Sequence, residues 1–312
     1  MSKKPASNKK KNRQQAYTLL IISTICWGAA LVITKPAFEF TTPFRFLLYR
    51  YFLASGLFSL IYLWLNRQKL KTKQIFTIIA LESLGTVFNL AILYLGLAKT
   101  TAIEASLIGT TGPIFITLAG IAFLKEKQEN HEWAGLIFSF LGMILIVTTN
   151  HSQTQQISMV GNLLIVSYNL LNAVYLILAK KFYKNIDKNL VGAVSFILGL
   201  IAFLAISWFE AGSSWQNLNQ LIAQDWQQMS VVLPALYMAI FGSIIGLIAY
   251  IKGQDKIEAS EASLFSYLQP LIYLPLGVLL LKENVSPQQL IGLGFIIIGV
   301  ITAEKRSTRR TV

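Results

Sequence analysis

Ten amide, phenol and indole side chains interrupt stretches of this chain that are otherwise aliphatic. Trp27, Asn169, Asn172 and Tyr175 belong to the first and sixth of these stretches, and Asn89 and Tyr94 to the third. Tyr250, Tyr267, Gln269 and Tyr273 fall near the end of the chain, and Thr110 and Thr111 lie in the fourth stretch. Amides and phenols hydrogen-bond a polar solute where water is scarce, and aromatic faces hold an apolar group or a cation. The chemistry they suggest is the lining of a binding cavity, with bonding between helices as the alternative use of the same groups. Leu19-Leu20-Ile21 and Ser23 resemble Leu163-Leu164-Ile165 and Ser167 at an offset of 144, which pairs Asn172 with Gly28 and sets Trp27 and Asn172 facing each other across the molecule.

Ionisable groups in apolar stretches are costly, and each requires an account. Arg50 lies about two helical turns into the second stretch, and Glu104 just inside the fourth. A structural pairing, or snorkelling of Arg50 to lipid headgroups, stands beside a role in gating or in holding a substrate carboxylate. Glu104 and its repeat mate Glu261, with Glu258 a turn earlier, suit helix N-termini, where a carboxylate opposes the macrodipole. Glu82 has no repeat mate and lies about 10 Å inside its stretch, which makes it a candidate for proton coupling or cation sensing. A carboxyl hydrogen-bonded at a helix interface remains the other reading of Glu82. Pro113 and Pro270 fall mid-helix, where a missing amide kinks the helix, so they are candidate hinges, or equally inherited packing. Gly242 and Gly246 form a GxxxG pair, while Gly135/Gly142 and Gly292/Gly299 recur at a spacing of seven. Such glycines make close-contact seams within one chain or between two.

Catalytic patterns do not emerge. His131-Glu132 lacks the second histidine of a zinc protease, and G-x-S-x-G, P-loop and cysteine-pair motifs are missing from the sequence. Neither enzymatic activity, a cofactor nor a bound metal is expected. The lone cysteine, Cys26, rules out an internal disulfide framework.

The elements that must position these residues follow from composition. Apolar residues make up 54% of the 312 and charged ones only 13%, against roughly 45–50% and 25% in soluble domains. The apolar excess gathers at about 17–35, 45–65, 75–98, 102–124, 132–149, 160–179, 190–209, 231–251, 258–281 and 287–303. Each is near the ~20 residues that cross a hydrocarbon core, which predicts an all-α integral membrane protein with ten transmembrane helices. Between 210 and 230, Trp215, Leu218, Leu221, Ile222, Trp226 and Met229 recur at helical spacing and predict a short helix lying on the membrane surface.

The net charge of +13 does not require nucleic acid. Lys and Arg concentrate in the N-terminal tail, in 66–74, 125–131, 180–189 and 252–257, and in the C-terminal tail, whereas the opposite loops hold only Lys35, Lys99 and Lys282. That bias is the positive-inside signature, so both termini are expected in the cytoplasm and the first helix is read as uncleaved rather than as a signal peptide.

Residues 96–144 and 253–301 align without a gap at an offset of 157. Gly96, Lys99 and Glu104-Ala105-Ser106-Leu107 match Gly253, Lys256 and Glu261-Ala262-Ser263-Leu264; Pro113, Lys125-Glu126, Gly135 and Gly142 match Pro270, Lys282-Glu283, Gly292 and Gly299. Five helices per copy is an odd number, so the second copy enters the membrane from the opposite face, with Lys125-Glu126 and Lys282-Glu283 on opposite sides. Paired inverted repeats usually enclose a pathway between them.

Trp27-Gly28, Arg50, Gly96 to Ala98, Pro113, Lys125-Glu126, Gly135 and Gly142, together with Pro270, Lys282-Glu283, Gln289, Gly292 and Gly299, resemble the pattern of EamA-type drug/metabolite transporters. The resemblance runs from about residue 17 to 303 and departs at Lys252 and at the acidic pair Glu258/Glu261. It implies two inverted five-helix EamA repeats, 17–149 and 160–303, between basic cytoplasmic tails at 1–16 and 304–312. It also implies a central cavity lined by helices 1, 3, 4, 6, 8 and 9. The expected protein is a multi-pass transporter of the cytoplasmic membrane, monomeric or homodimeric. It would move small polar or amphipathic metabolites by alternating access, as an exporter, with lipid and a small-molecule substrate as its partners. The competing expectation is a sensor or assembly protein that keeps the scaffold without transport.

Overall fold

The computed structural model describes residues 6–66, 71–124, 130–148, 159–257, 262 and 264–303. These residues form helices and turns, with no strand among them. Seven helices are long and apolar enough to cross a membrane: α1 (Asn12–Glu39), α2 (Pro43–Asn66), α3 (Thr72–Lys99), α4 (Ala102–Phe123), α6 (Met159–Phe182), α7 (Lys188–Glu210) and α9 (Met229–Gln254). Three apolar helices are shorter by that measure, within α5 (Asn130–Val147), α10 (Pro270–Leu281) and α11 (Pro287–Ala303). A further helix, α8 (Trp215–Asp225), forms where the one-sided spacing of Trp215, Leu218 and Ile222 predicts it. With α8 counted, α9 and α10 correspond to the eighth and ninth apolar stretches. The doublet Lys125-Glu126, the pair Glu258/Glu261 and the tail 304–312 lie outside the described residues.

Helix starts are set by small oxygen-bearing side chains. Thr42, Thr101, Asp187 and Ser214 accept the backbone N–H of Arg45, Glu104, Asn189 and Asn217, which supplies partners for amides that the first turn leaves open. The outer surface is apolar, with Trp64, Phe76, Leu271 and Leu279 among its most exposed side chains, as a lipid-facing surface requires.

Glycines govern how the helices approach. On α3, Gly96 lies against Ile165 and the carbonyl of Gly161 on α6; on α9, its repeat mate Gly253 lies against Leu20 and the carbonyl of Ala16 on α1. Gly142 of α5 meets the carbonyl of Gly292 on α11, and Gly299 meets that of Gly135. The offset of 157 converts one of those two contacts into the other. Gly246 lies against the Trp27 ring of α1, whereas the nearest neighbour of Gly242 is Met238, one turn earlier on α9 itself.

The prolines differ from expectation. Rather than kinking a continuous helix, each begins a new helical segment. The fourth span breaks at Thr110–Thr111 and resumes at Gly112, so Pro113 falls in a first turn; Pro270 stands at the start of α10, after the 3-10 turn Leu264–Leu268. A first turn leaves its N–H groups unbonded in any case, so proline costs little there. Thr110 and Thr111 donate to the carbonyls of Leu107 (2.5 Å) and Ile108 (2.7 Å), which satisfies groups that the break sets free.

Candidate functional site

A cavity of about 220 Å³ lies between the two halves. Its walls come from α1, α2, α3, α4, α6, α9 and α10, with Lys188 of α7 at one end. Nine of the ten amide and aromatic candidates line it: Trp27, Asn89, Tyr94, Asn169, Asn172, Tyr175, Tyr250, Gln269 and Tyr273. Tyr267 belongs to the 3-10 turn before Pro270, and its side chain lies outside what the structure describes.

Wide π-helical turns shape this wall. Ser83–Phe88 in α3 carries Gly85 and Thr86, and Met238–Leu247 in α9 carries Gly242. Such turns re-aim side chains and recur at functional sites. Trp27 donates its indole N–H to the carbonyl of Gly242 at 2.9 Å and lies 5.1 Å from the Tyr250 ring. It does not pair with Asn172, whose carbonyl oxygen accepts from the Asn89 amide at 3.2 Å. Asn169 donates to the Ile108 carbonyl (2.7 Å) and to Thr111 Oγ1 (3.1 Å), bracing the break in α4. Among the described residues, two buried polar atoms of the lining, Asn89 Oδ1 and Gln254 Nε2, have no hydrogen-bond partner.

Arg50 neither snorkels nor pairs with Glu104. It is buried, with Nε donating to Ser243 Oγ (2.7 Å), Nη1 donating to the Tyr94 hydroxyl (3.1 Å) and the guanidinium 5.3 Å from the Tyr51 ring. Helix rotation explains the difference, because α2 turns this residue toward α9 and α3 rather than toward α4.

Glu82 stands behind the wall. Its carboxylate accepts from Tyr175 (2.7 Å), Tyr183 (2.8 Å) and Thr86 (2.5 Å), all of which line the cavity. Gly85 makes room, since a Cβ there would lie 2.3 Å from the Tyr175 ring.

Glu104 and Pro270 are outside the lining. Glu104 is fully buried at one end of the bundle, accepting from Thr100 (2.9 Å), Asn162 (2.9 Å) and Gln289 (3.3 Å). The helix-capping role that its first-turn position predicts falls to Thr101 and to Glu283. The Glu283 carboxylate accepts the N–H groups of Ala102 (2.8 Å) and Ile103 (2.7 Å) at the start of α4. Burial pushes that carboxyl above the usual carboxylate range, against the pull of the two amides and of Lys35. Lys35 itself donates to the carbonyls of Leu97 (2.8 Å) and Ala98 (3.3 Å) at this end. At the opposite end Lys188 pairs with Asp255 at 3.2 Å and Lys180 donates to the Ile257 carbonyl at 2.7 Å; Lys180, Lys188 and Asp255 reach the cavity.

Sequence reasoning missed Tyr168, Ser243, Asp225, the capping role of Glu283 and the Lys188–Asp255 pair. The serine inside the GxxxG pair offered one usable signal, because small and hydroxyl-bearing residues together mark a close helix crossing.

A polytopic helical membrane protein with a cavity between its halves, apolar with interspersed polar groups, belongs to the class of membrane carriers. The model of the EamA-like transporter family matches residues 14–148 and again 159–303, and the chain belongs to that family. The uncharacterized transporter YyaM of Bacillus subtilis is 24% identical over 292 residues, covering 92% of each chain. An uncharacterized transporter of Archaeoglobus fulgidus is 24% identical over 294 residues, covering 93% of this chain and 99% of its own. The uncharacterized transporter sll0355 of Synechocystis is 26% identical over 307 residues, 92% of this chain and 89% of its own. A crystal structure 16% identical in sequence superposes with a TM-score of 0.66 over 93% of this chain and 96% of its own, a likeness of fold. The family carries a general transport role for a small molecule in a lipid environment.

Proposed function

We propose that the chain is a secondary transporter of ten membrane helices in two inverted five-helix repeats, 17–149 and 160–303, that carries small polar or amphipathic metabolites by alternating access. The observation that carries this reading is a cavity walled by both halves and lined by amide, phenol and indole side chains. The Glu283 and Glu104 networks tie the halves together at one end, whereas the cavity reaches Lys188 and Asp255 at the other. The self-matching glycine contacts of α5 and α11 support inversion. Positive charge in the alternate loops supports a cytoplasmic location for both termini, in the cytoplasmic membrane. Export as the direction rests on the family resemblance.

Proteoliposome counterflow with labelled amino acids, organic carboxylates, purines and organic cations tests the transport reading. Accumulation above protein-free vesicles, with label chemically unchanged, is expected for at least one solute; none across the panel defeats it. In a Cys26→Ala background, Lys125→Cys and Lys282→Cys should react with impermeant thiol reagents from opposite sides of the membrane. Reaction from one side defeats the inverted architecture.

Glu82 is the proposed coupling group, because a carboxylate ringed by hydroxyl donors contacts two lining tyrosines. Glu82→Gln is expected to flatten the pH dependence of flux. A pH profile identical to that of the wild type removes Glu82 from the cycle.

A further inference from the structure

The carboxylates of the cavity region are engaged away from Arg50. Glu82 is held by three hydroxyl groups, and Asp255 pairs with Lys188. Arg50 makes no ion pair among the described residues; its partners are the neutral oxygens of Ser243 and Tyr94. A guanidinium carries five N–H donors, so these two bonds leave three unmet, including both on Nη2. A buried cation favours a countercharge, and the fork of Nη1 and Nη2 has the shape that a carboxylate fills with two parallel bonds.

The neighbouring residues define the rest of the ligand. Ser243, which accepts from Arg50, follows Gly242, which accepts from Trp27, in the π-helical turn of α9. The cation and the indole are therefore anchored on consecutive residues. Beside the indole lies the Tyr250 ring. The cavity, about 220 Å³, has room for a small solute beside these groups.

We propose that the transported solute is an organic anion whose carboxylate docks on Arg50 and whose apolar or aromatic tail lies against Trp27 and Tyr250. This deepens the transporter reading of the cavity and rests on it. Arg50 is then a binding residue that supplies specificity through charge, and organic cations with the same tail are poor ligands.

Three probes that share a tail test the assignment: 3-phenylpropionate, 3-phenylpropylamine and 3-phenylpropanol, titrated against the purified full-length protein while its melting temperature is followed. The carboxylate is expected to stabilise at concentrations about tenfold or more below those of the other two, a difference of about 1.4 kcal/mol or more. Arg50→Gln should bring the carboxylate down to the alcohol's level, and Arg50→Lys should retain part of the preference. Ser243→Asp places a carboxylate beside Nε, so it should raise the melting temperature of the empty protein and abolish the response to 3-phenylpropionate. That variant decides the matter if Arg50→Gln does not fold. Amine or alcohol binding as tight as the carboxylate, a preference that survives Arg50→Gln or Ser243→Asp, or no carboxylate response overturns the proposal. Inorganic phosphate matching the carboxylate overturns the organic-anion assignment. The transporter reading fails separately: 3-phenylpropionate that binds through Arg50 but shows no counterflow defeats transport, and counterflow of amines indifferent to Arg50 defeats only the anion.

Discussion

Asp225→Ala is expected to destabilise the protein by about 3–5 kcal/mol, the scale for leaving one member of a buried ion pair without its partner. Asp225 ends α8 and is buried, and its Oδ2 accepts from Arg45 Nε (2.9 Å), the Tyr49 hydroxyl (2.6 Å) and Thr41 Oγ1 (2.5 Å). Arg45 is itself only 8% exposed, so alanine would leave a guanidinium charge shielded from water and unpaired. An asparagine at this position would keep one acceptor but not the charge, so Asp225→Asn should be nearly as damaging. Arg45→Met combined with Asp225→Leu should recover most of the loss, because apolar replacement of both partners removes the desolvation penalty along with the attraction. Thermal denaturation of the purified protein in one detergent provides the measurement. An Asp225→Ala variant within about 0.5 kcal/mol of wild type, the usual range of an innocuous surface change, would show that the pair is hydrated. The consequence reaches beyond stability, because this cluster clasps α8 to the connection between α1 and α2 and so fixes the start of the helix that carries Arg50.

Asp225 also marks where the sequence stops being legible. Its helix is announced by Trp215, Leu218 and Ile222, whose spacing locates Trp215–Asp225 well. A single acid at the end of that pattern reads as solvated, because nothing local tells of three donors about 180 residues away. The same holds for Arg50. Being ionisable in an apolar stretch singles it out, but its partner Ser243 stands 193 positions later, and the azimuth of α2 that joins them is a tertiary property. Cavity residues such as Asn89, Asn169 and Tyr94 were detectable because a polar group in an apolar span must face protein or cavity rather than lipid. Pro113 and Pro270 were located but misjudged: a kink and a helix start look alike until Thr110 and Thr111 are seen bonding the freed carbonyls. Glu283 was visible as half of a matched Lys-Glu doublet, yet its bonds to the amides of Ala102 and Ile103 depend on the second half packing onto the first.

The glycine seam between α5 and α11 supplies the other large effect. A Cβ added to Gly142 would lie 2.4 Å from the carbonyl oxygen of Gly292, and one added to Gly299 would lie 2.5 Å from that of Gly135 and 2.2 Å from Ser139 Oγ. Backbone oxygens cannot rotate away, so the helices themselves must move apart and lose packing along their length. Overpacking of this kind costs about 1–3 kcal/mol, and the offset of 157 that exchanges the two contacts predicts similar losses for Gly142→Ala and Gly299→Ala. Gly294 serves as the control on the same helix. Nothing lies within 4 Å of its added Cβ, so Gly294→Ala should be neutral or stabilising by about 0.5–1 kcal/mol, the usual helical advantage of alanine. Neither Gly142 nor Gly299 lines the cavity, so both variants should keep wild-type ligand affinity while melting earlier. The double variant separates one rigid seam from two local contacts. If α5 and α11 move as rigid helices, the separation forced by the first alanine makes room for the second, and the combined loss is smaller than the sum of the two. Strict additivity would mean that each glycine answers only to its own neighbours, and the two-fold match between these contacts would then be a trace of duplication rather than a joint that still behaves as one.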